Sequence, residues 1–155
     1  MKQVILVCGP ICSGKTTWCN ENINKDEDSY IKVSDIVKLL TNATNRAELQ
    51  DTANLDKQIA DHLIRTIRNC LHETDKVFVD GVRQMSIVKR IVGEYPQSKL
   101  VWLEVPYQER ERRFNLRAQT RDSGVSFEQV NAKDYELGLL EVENHYNNNL
   151  KNKNN

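Results

Sequence analysis

The first apolar run of the chain, Val4-Ile5-Leu6-Val7, carries no polar residue at alternate positions. A strand apolar at successive positions is covered on both faces, the pattern of a parallel sheet lying between helices. Similar runs return at 77–79, at 99–105 behind a leading lysine, and at 30–33, where the run ends on Ser34-Asp35. Between them the period changes. Leu55, Ile59, Leu63, Ile67 and Leu71 recur every four residues and predict a long amphipathic helix. Residues 36–40 predict a helix that Ser34 or Asp35 can cap. Another is predicted over 85–92, closing near Gly93 and Pro96, and a strongly charged one over 107–119. Residues 41–54 show no clear period, although 46–50 can form a helical turn. Strands alternating with helices imply βαβ units, hence a parallel α/β sheet of four to five strands with helices on both faces.

The junction after the first run changes the picture most. Gly9-Pro10-Ile11-Cys12-Ser13-Gly14-Lys15-Thr16 reads as glycine, four residues, then Gly-Lys-Thr, followed by the helical start Thr17-Trp18-Cys19. Glycines allow positive φ and close approach of backbone to a ligand. Successive amide N–H groups at a helix start then converge on an anion. Lys15 supplies a mobile cation for β- and γ-phosphates, and the Thr16 hydroxyl suits Mg²⁺. Strand before and helix after supply the context in which this spacing means a phosphate-binding loop.

Twenty-two basic and 22 acidic residues cancel, so no global field draws the chain to nucleic acid or membrane, though zero net charge does not exclude a nucleic acid. Hydrophobic residues make up 39% of the 155, and no apolar run approaches the ~20 residues of a membrane span. The first strand starts at residue 4, which argues against a secretory signal, and cysteines that read as reduced argue for a cytoplasmic protein. Of the cysteines at 8, 12, 19 and 70, three lie in or beside the loop, where a disulfide would distort it. Cys8 and Cys12 lack a second pair or clustered histidines to complete a zinc site, so all four read as reduced thiols. Trp18 and Trp102 read as core. The last twelve residues, 144–155, hold seven asparagines and read as a frayed or disordered tail after a domain spanning 1–143.

Open α/β sheets bind ligands beyond the carboxyl ends of their strands. Strand ends place the loop, Asp35, Asp80-Gly81 and Pro106-Tyr107 on one edge. Asp80 sits where an acidic residue orients Mg²⁺, and equally where an aspartate suits a turn. Asp35 is a candidate for an acceptor hydroxyl or the metal, with a plain helix cap as its rival. Arg83, three residues past Asp80, offers a guanidinium fork for an acceptor phosphate. Arg113 and Arg117 share a helix face that Arg121 continues, and phosphoryl transfer needs positive charge on the moving γ-group. Glu109, Glu111 and Asp122 support the alternative of an ordinary solvated helix.

These residues together resemble the P-loop nucleoside monophosphate kinase fold. Within it the chain is most similar to the group that includes dephospho-coenzyme A kinases and phage-type deoxynucleoside monophosphate kinases. The matching pieces are 9–17, Ser34-Asp35, Arg46-Ala47-Glu48-Leu49-Gln50, Val79-Asp80-Gly81-Val82-Arg83 and Arg113-Phe114-Asn115-Leu116-Arg117, spread over most of residues 1–137. The resemblance implies a three-layer P-loop NTPase fold with an arginine-bearing lid at about 107–125, and transfer of the γ-phosphate of ATP to a small phosphorylated acceptor. It implies that Gly9, Ile11, Cys12, Ser13, Gly14, Lys15, Thr16 and Thr17 hold ATP together with Arg113 and Arg117, while Thr16 and Asp80 organise Mg²⁺. Asp35, Arg46, Gln50, Asp80, Gly81 and Arg83 would hold the acceptor. Lys15, Asp35, Arg117 and Arg121 would act on the transferring group. Such kinases finish with a fifth strand and a loop that touches the donor base. Here residues 136–140 run into Asn-rich sequence, so either the sheet is four-stranded, or part of the nucleotide site is absent or supplied by another subunit, and the chain is expected to be a monomer or homodimer. The acceptor expected first is a (deoxy)nucleoside monophosphate. Dephospho-coenzyme A or another small metabolite, a polynucleotide 5′-end, and a non-catalytic nucleotide-binding switch stay open.

Overall fold

The apolar run at 4–7 becomes the second strand from one edge of a four-stranded parallel sheet. The computed structural model describes residues 2–41, 55–118 and 125–154. In it β1 (Gln3–Cys8) lies between β3 (Lys76–Asp80) and β4 (Lys99–Trp102), with β2 (Asp28–Lys32) beyond β3, giving the order β2-β3-β1-β4. Val7 pairs with Asp80, and Cys8 with Trp102. The loop after Cys8 therefore leaves the sheet beside Asp80.

Side-chain alternation along β1 explains why both phases are apolar. Val4, Leu6 and Cys8, with Ile31, Val77 and Val79, face the main core. There they meet Ile36 of α2 (Val33–Thr41), Leu63 and Ile67 of α3 (Asp56–Glu73), Ile87 and Ile91 of α4 (Met85–Glu94) and Leu139 of α7 (Leu139–Asn154). Ile5, Val7 and Phe78 face the opposite way, onto Cys19 and Trp18 of α1 (Lys15–Asn22). Each fully buried Leu or Ile contributes about 1.5–3 kcal/mol, so this double coverage of the sheet dominates stability. A smaller cluster of Ile11, Cys12, Phe114, Phe127 and Val130 joins the loop to α5 (Tyr107–Ala118) and α6 (Phe127–Glu136).

Several elements differ from the sequence expectation. The fourth strand stops at Trp102 instead of running to 105. Its neighbour β1 ends at Cys8, whose carbonyl accepts from Leu103 N–H, so nothing lies beyond for residues 104–105 to pair with. Helix α2 starts at Val33, which puts Ser34 and Asp35 inside its first turn instead of at the cap. Helix α6 was not expected. It opens on a capping box in which Gln129 N–H donates to Ser126 Oγ at 3.1 Å and Ser126 N–H to Gln129 Oε1 at 3.2 Å. Helix α7 runs through the Asn-rich stretch to Asn154, because Leu139, Val142 and Tyr146 form a stripe on the core. The helical turn expected over 46–50 lies outside the described residues. No described helix is long and apolar enough to cross a membrane.

Candidate active site

The loop is shaped by what its glycines permit. Gly9 packs so tightly that a Cβ there would fall 2.6 Å from Ser13 Oγ and 3.0 Å from the Leu103 carbonyl. Gly14, at the N-cap of α1, is left-handed with φ 86°, which other residues adopt only under strain. Between them Cys12 takes φ 61°, the only positive value at a non-glycine among the described residues. Lys15 folds back, donating from Nζ to the Gly9 and Pro10 carbonyls at 3.1 Å each. Ser13 N–H closes a turn onto the Pro10 carbonyl at 3.1 Å. Burial pushes the thiols of Cys8 and Cys19 up to about 12, so both stay neutral and put no negative charge behind an anion site.

Asp80 lies at the end of β3, buried against this loop. Its Oδ2 accepts from Thr16 Oγ1 at 2.8 Å and from the Tyr30 phenol at 2.5 Å. Register explains the second contact: Tyr30 pairs with Phe78 across the β2–β3 ladder, and Asp80 follows on the same face two residues on. Burial, and then the Asp80 carboxylate, push the Tyr30 hydroxyl above its usual range, so it remains a neutral donor. By linkage, a raised phenol contributes fully below its unfolded value of about 10 and loses its contribution only as pH climbs past that. Tyr30→Phe removes one donor from a buried charged acceptor and should cost about 1.5–3 kcal/mol in the urea unfolding free energy. An unchanged unfolding midpoint would mean that water takes the place of the phenol.

Three arginines of α5 reach the loop from the other side. Arg110 Nη1 donates to the Ile11 carbonyl at 3.3 Å, and Arg113 Nη1 to the Cys12 carbonyl at 3.1 Å. Arg117 Nη1 lies 3.8 Å from Cys12 Sγ. The spacing 110, 113, 117 is one helical stripe, which is why three guanidiniums meet two adjacent residues. Arg113 Nε also donates to Glu109 Oε1 at 3.1 Å. Glu109 takes Arg112 as well, and the hydrogen bonds from Arg112 and then Arg113 hold its carboxyl at about 2.

The structure thus brings Gly9, Ile11, Cys12, Ser13, Gly14, Lys15, Thr16, Asp80, Arg113 and Arg117 together. Thr17 is exposed on α1, one residue past Thr16. Gly81 is buried, its N–H donating to the Val7 carbonyl at 3.0 Å. Asp35 is exposed in the first turn of α2. Arg83 has a partner that spacing did not announce: its Nε lies 2.8 Å from Oδ1 of Asp134, a fully buried residue of α6. Arg46, Gln50 and Arg121 lie outside the described residues. Tyr30, Asp134 and Arg110 are not among the site residues the sequence predicts.

The donor set fits a nucleotide with its metal. Ser13 Oγ is buried with no hydrogen-bond partner among the described residues, at the point where the glycines keep side chains out. A hydroxyl and a carboxylate oxygen 2.8 Å apart, Thr16 and Asp80, are the hard oxygen ligands that Mg²⁺ takes. No group of three or more His, Cys, Asp or Glu suited to a metal occurs among the described residues.

Comparison with known structures gives the same architecture. A chain of the Pnkp1/Rnl/Hen1 RNA repair complex superposes with TM-score 0.60 at 14% identity, covering 92% of this chain and 46% of that one. Shikimate kinase from Acinetobacter baumannii, in complex with shikimate, superposes with TM-score 0.57 at 15% identity, covering 88% of this chain and 74% of that one. At these identities the likeness is one of fold, a P-loop kinase-like α/β fold. This chain spans less than half the length of the RNA repair chain. No curated protein sequence matches. The AAA_18 family model, an AAA domain, matches residues 5–136, from the first strand to the end of α6. The chain is a member of that AAA-domain family.

Proposed function

We propose that the chain is a kinase that moves the γ-phosphate of ATP to a small phosphorylated acceptor, first among them a (deoxy)nucleoside monophosphate. The arginine stripe carries this reading: Arg110, Arg113 and Arg117 converge on Ile11 and Cys12 of a phosphate loop whose other flank presents Thr16 and Asp80. A binding module needs the loop; transfer also needs cations on the far side of the moving group. When bound, Mg²⁺ would neutralise charge on the phosphates. Thr16 and Asp80 are the residues to hold it. Lys15 would leave the Gly9 and Pro10 carbonyls for the phosphates. Arg113 and Arg117, with Arg121, would close over the donor and limit loss of phosphate to water. Arg83, tied to Asp134 by Nε, would turn its Nη groups to an acceptor phosphate, and Asp35, Gly81, Arg46 and Gln50 are the other residues proposed to bind the acceptor.

A second reading is a 5′-hydroxyl of a polynucleotide as acceptor, supported by the coverage of 92% of this chain in the superposition on the RNA repair complex. ADP release from ATP·Mg²⁺ should be measured with ribo- and deoxynucleoside monophosphates, dephospho-coenzyme A, shikimate and a 5′-hydroxyl oligonucleotide. Release with one monophosphate well above the others supports the first reading. The oligonucleotide alone as acceptor replaces it with the second. Release independent of any acceptor removes both in favour of an ATPase or switch.

A further inference from the structure

Arg110 is 5% exposed, an unusual place for a cation. Among the described residues no carboxylate pairs with it. Its Nε donates to the Val105 carbonyl at 3.1 Å, and its Nη1 to Asn131 Oδ1 at 2.7 Å and to the Ile11 carbonyl at 3.3 Å. Its guanidinium carbon lies 5.6 Å from the Tyr107 ring centre and 5.5 Å from that of Phe127. One side chain thus ties the end of the β4–α5 connection, α5 itself, α6 and the phosphate loop together. Burying a charge is expensive unless it is matched by hydrogen bonds, and an apolar side chain would fill this position at lower cost.

What the charge holds is the peptide before Cys12. The φ and ψ of Cys12 are set by the relative rotation of its two flanking peptide planes. Arg110 holds the first by the Ile11 carbonyl and Arg113 the second by the Cys12 carbonyl. Cys12 is the residue in left-handed conformation, which a non-glycine keeps only when its surroundings over-determine it. A trans peptide turns its N–H opposite to its C=O, so the bond to Arg110 also turns the Cys12 N–H away from α5.

We propose that Arg110 is a positioning residue that locks the phosphate loop in its left-handed form before any ligand arrives, and so sets affinity for the phosphates of a nucleoside diphosphate. It rests on the reading of the loop as a nucleotide site. A group that fixes strain is needed less when the strain is removed. Glycine takes φ near 60° freely, so Cys12→Gly should make Arg110 dispensable in part.

The test is an ADP titration by calorimetry on wild type, Arg110→Met, Cys12→Gly and the double variant, with thermal unfolding of each. Arg110→Met is expected to weaken ADP about tenfold in the wild-type background, the size of a relieved left-handed strain, and clearly less in the Cys12→Gly background. A purely structural role would lower the melting temperature in both backgrounds alike and leave the two losses in affinity multiplicative. Multiplicative losses, or wild-type affinity in Arg110→Met, overturn the proposal. Should Arg110→Met fail to fold, Arg110→Lys keeps the charge with a single donor point and must show the same dependence on Cys12→Gly. Wild-type protein that binds no ADP overturns instead the reading of the loop as a nucleotide site.

Discussion

Replacing Lys15 with alanine is expected to lower turnover by about 10³ while leaving the fold in place. The size follows from removing a preorganised donor, and here a full charge, from a site where negative charge shifts during transfer; one such donor alone is worth about 10²–10³. The fold should survive because the bonds of Lys15 to the Gly9 and Pro10 carbonyls, 3.1 Å each, are local ties within the loop, to residues six and five back along the chain. Losing these partly buried bonds costs about 1–3 kcal/mol, below the about 5–15 kcal/mol that holds a folded domain together. The measurement is kcat with the acceptor found by the ADP-release panel, beside the melting temperature of the same preparation. Retention of more than a tenth of wild-type turnover with an intact fold would take Lys15 out of the chemistry, and with it the assignment of the loop to the donor.

What the sequence made legible, and what it hid, divides by the range of the interaction. β1, the phosphate loop, α1 and the four-residue period of α3 are local patterns, and local patterns survive translation into structure. Asp80 was visible because a strand end fixes where its last residue sits. Tyr30 was hidden, because its contact to Asp80 depends on β2 lying beside β3, and strand order is not written in alternation. Arg110 and Asp134 were hidden for another reason: both are polar residues on apolar helical stripes. Arg110 falls between Tyr107 and Phe114, and Asp134 follows Phe127 and Val130. In a run as charged as 107–119, the arginine row 113, 117, 121 draws the eye and the apolar stripe on which Arg110 lies does not. Composition hid α7, where seven asparagines masked Leu139, Val142 and Tyr146 at helical spacing. A single polar residue on an apolar stripe is therefore a signal to look for a buried partner.

Arg83 shows how such a partner changes an experiment. From spacing alone, Arg83→Ala is a probe of the acceptor, expected to raise its KM. The structure adds a larger effect. Arg83 Nε sits 2.8 Å from Asp134 Oδ1, and Asp134 has no exposed surface. Removing the arginine leaves a buried carboxylate without this partner, a change that costs about 3–5 kcal/mol. In a domain of this size 1 kcal/mol moves the melting temperature by about 2–4 °C, so a fall on the order of 10 °C is expected in Arg83→Ala. A raised KM in that variant would then mix lost binding with a loosened β3–α4 junction. Replacing both partners by apolar side chains of similar volume, Arg83→Met with Asp134→Leu, should recover most of the melting temperature, since a buried pair exchanged for packed hydrophobes is often neutral. The acceptor KM of the double variant then reports on binding alone. If it stays raised by about tenfold or more, the size of one lost charged hydrogen bond, Arg83 meets the acceptor as well as Asp134. If it returns to the wild-type value along with the melting temperature, Arg83 is a strut between β3 and α6, and the acceptor phosphate must find its cation elsewhere on the edge.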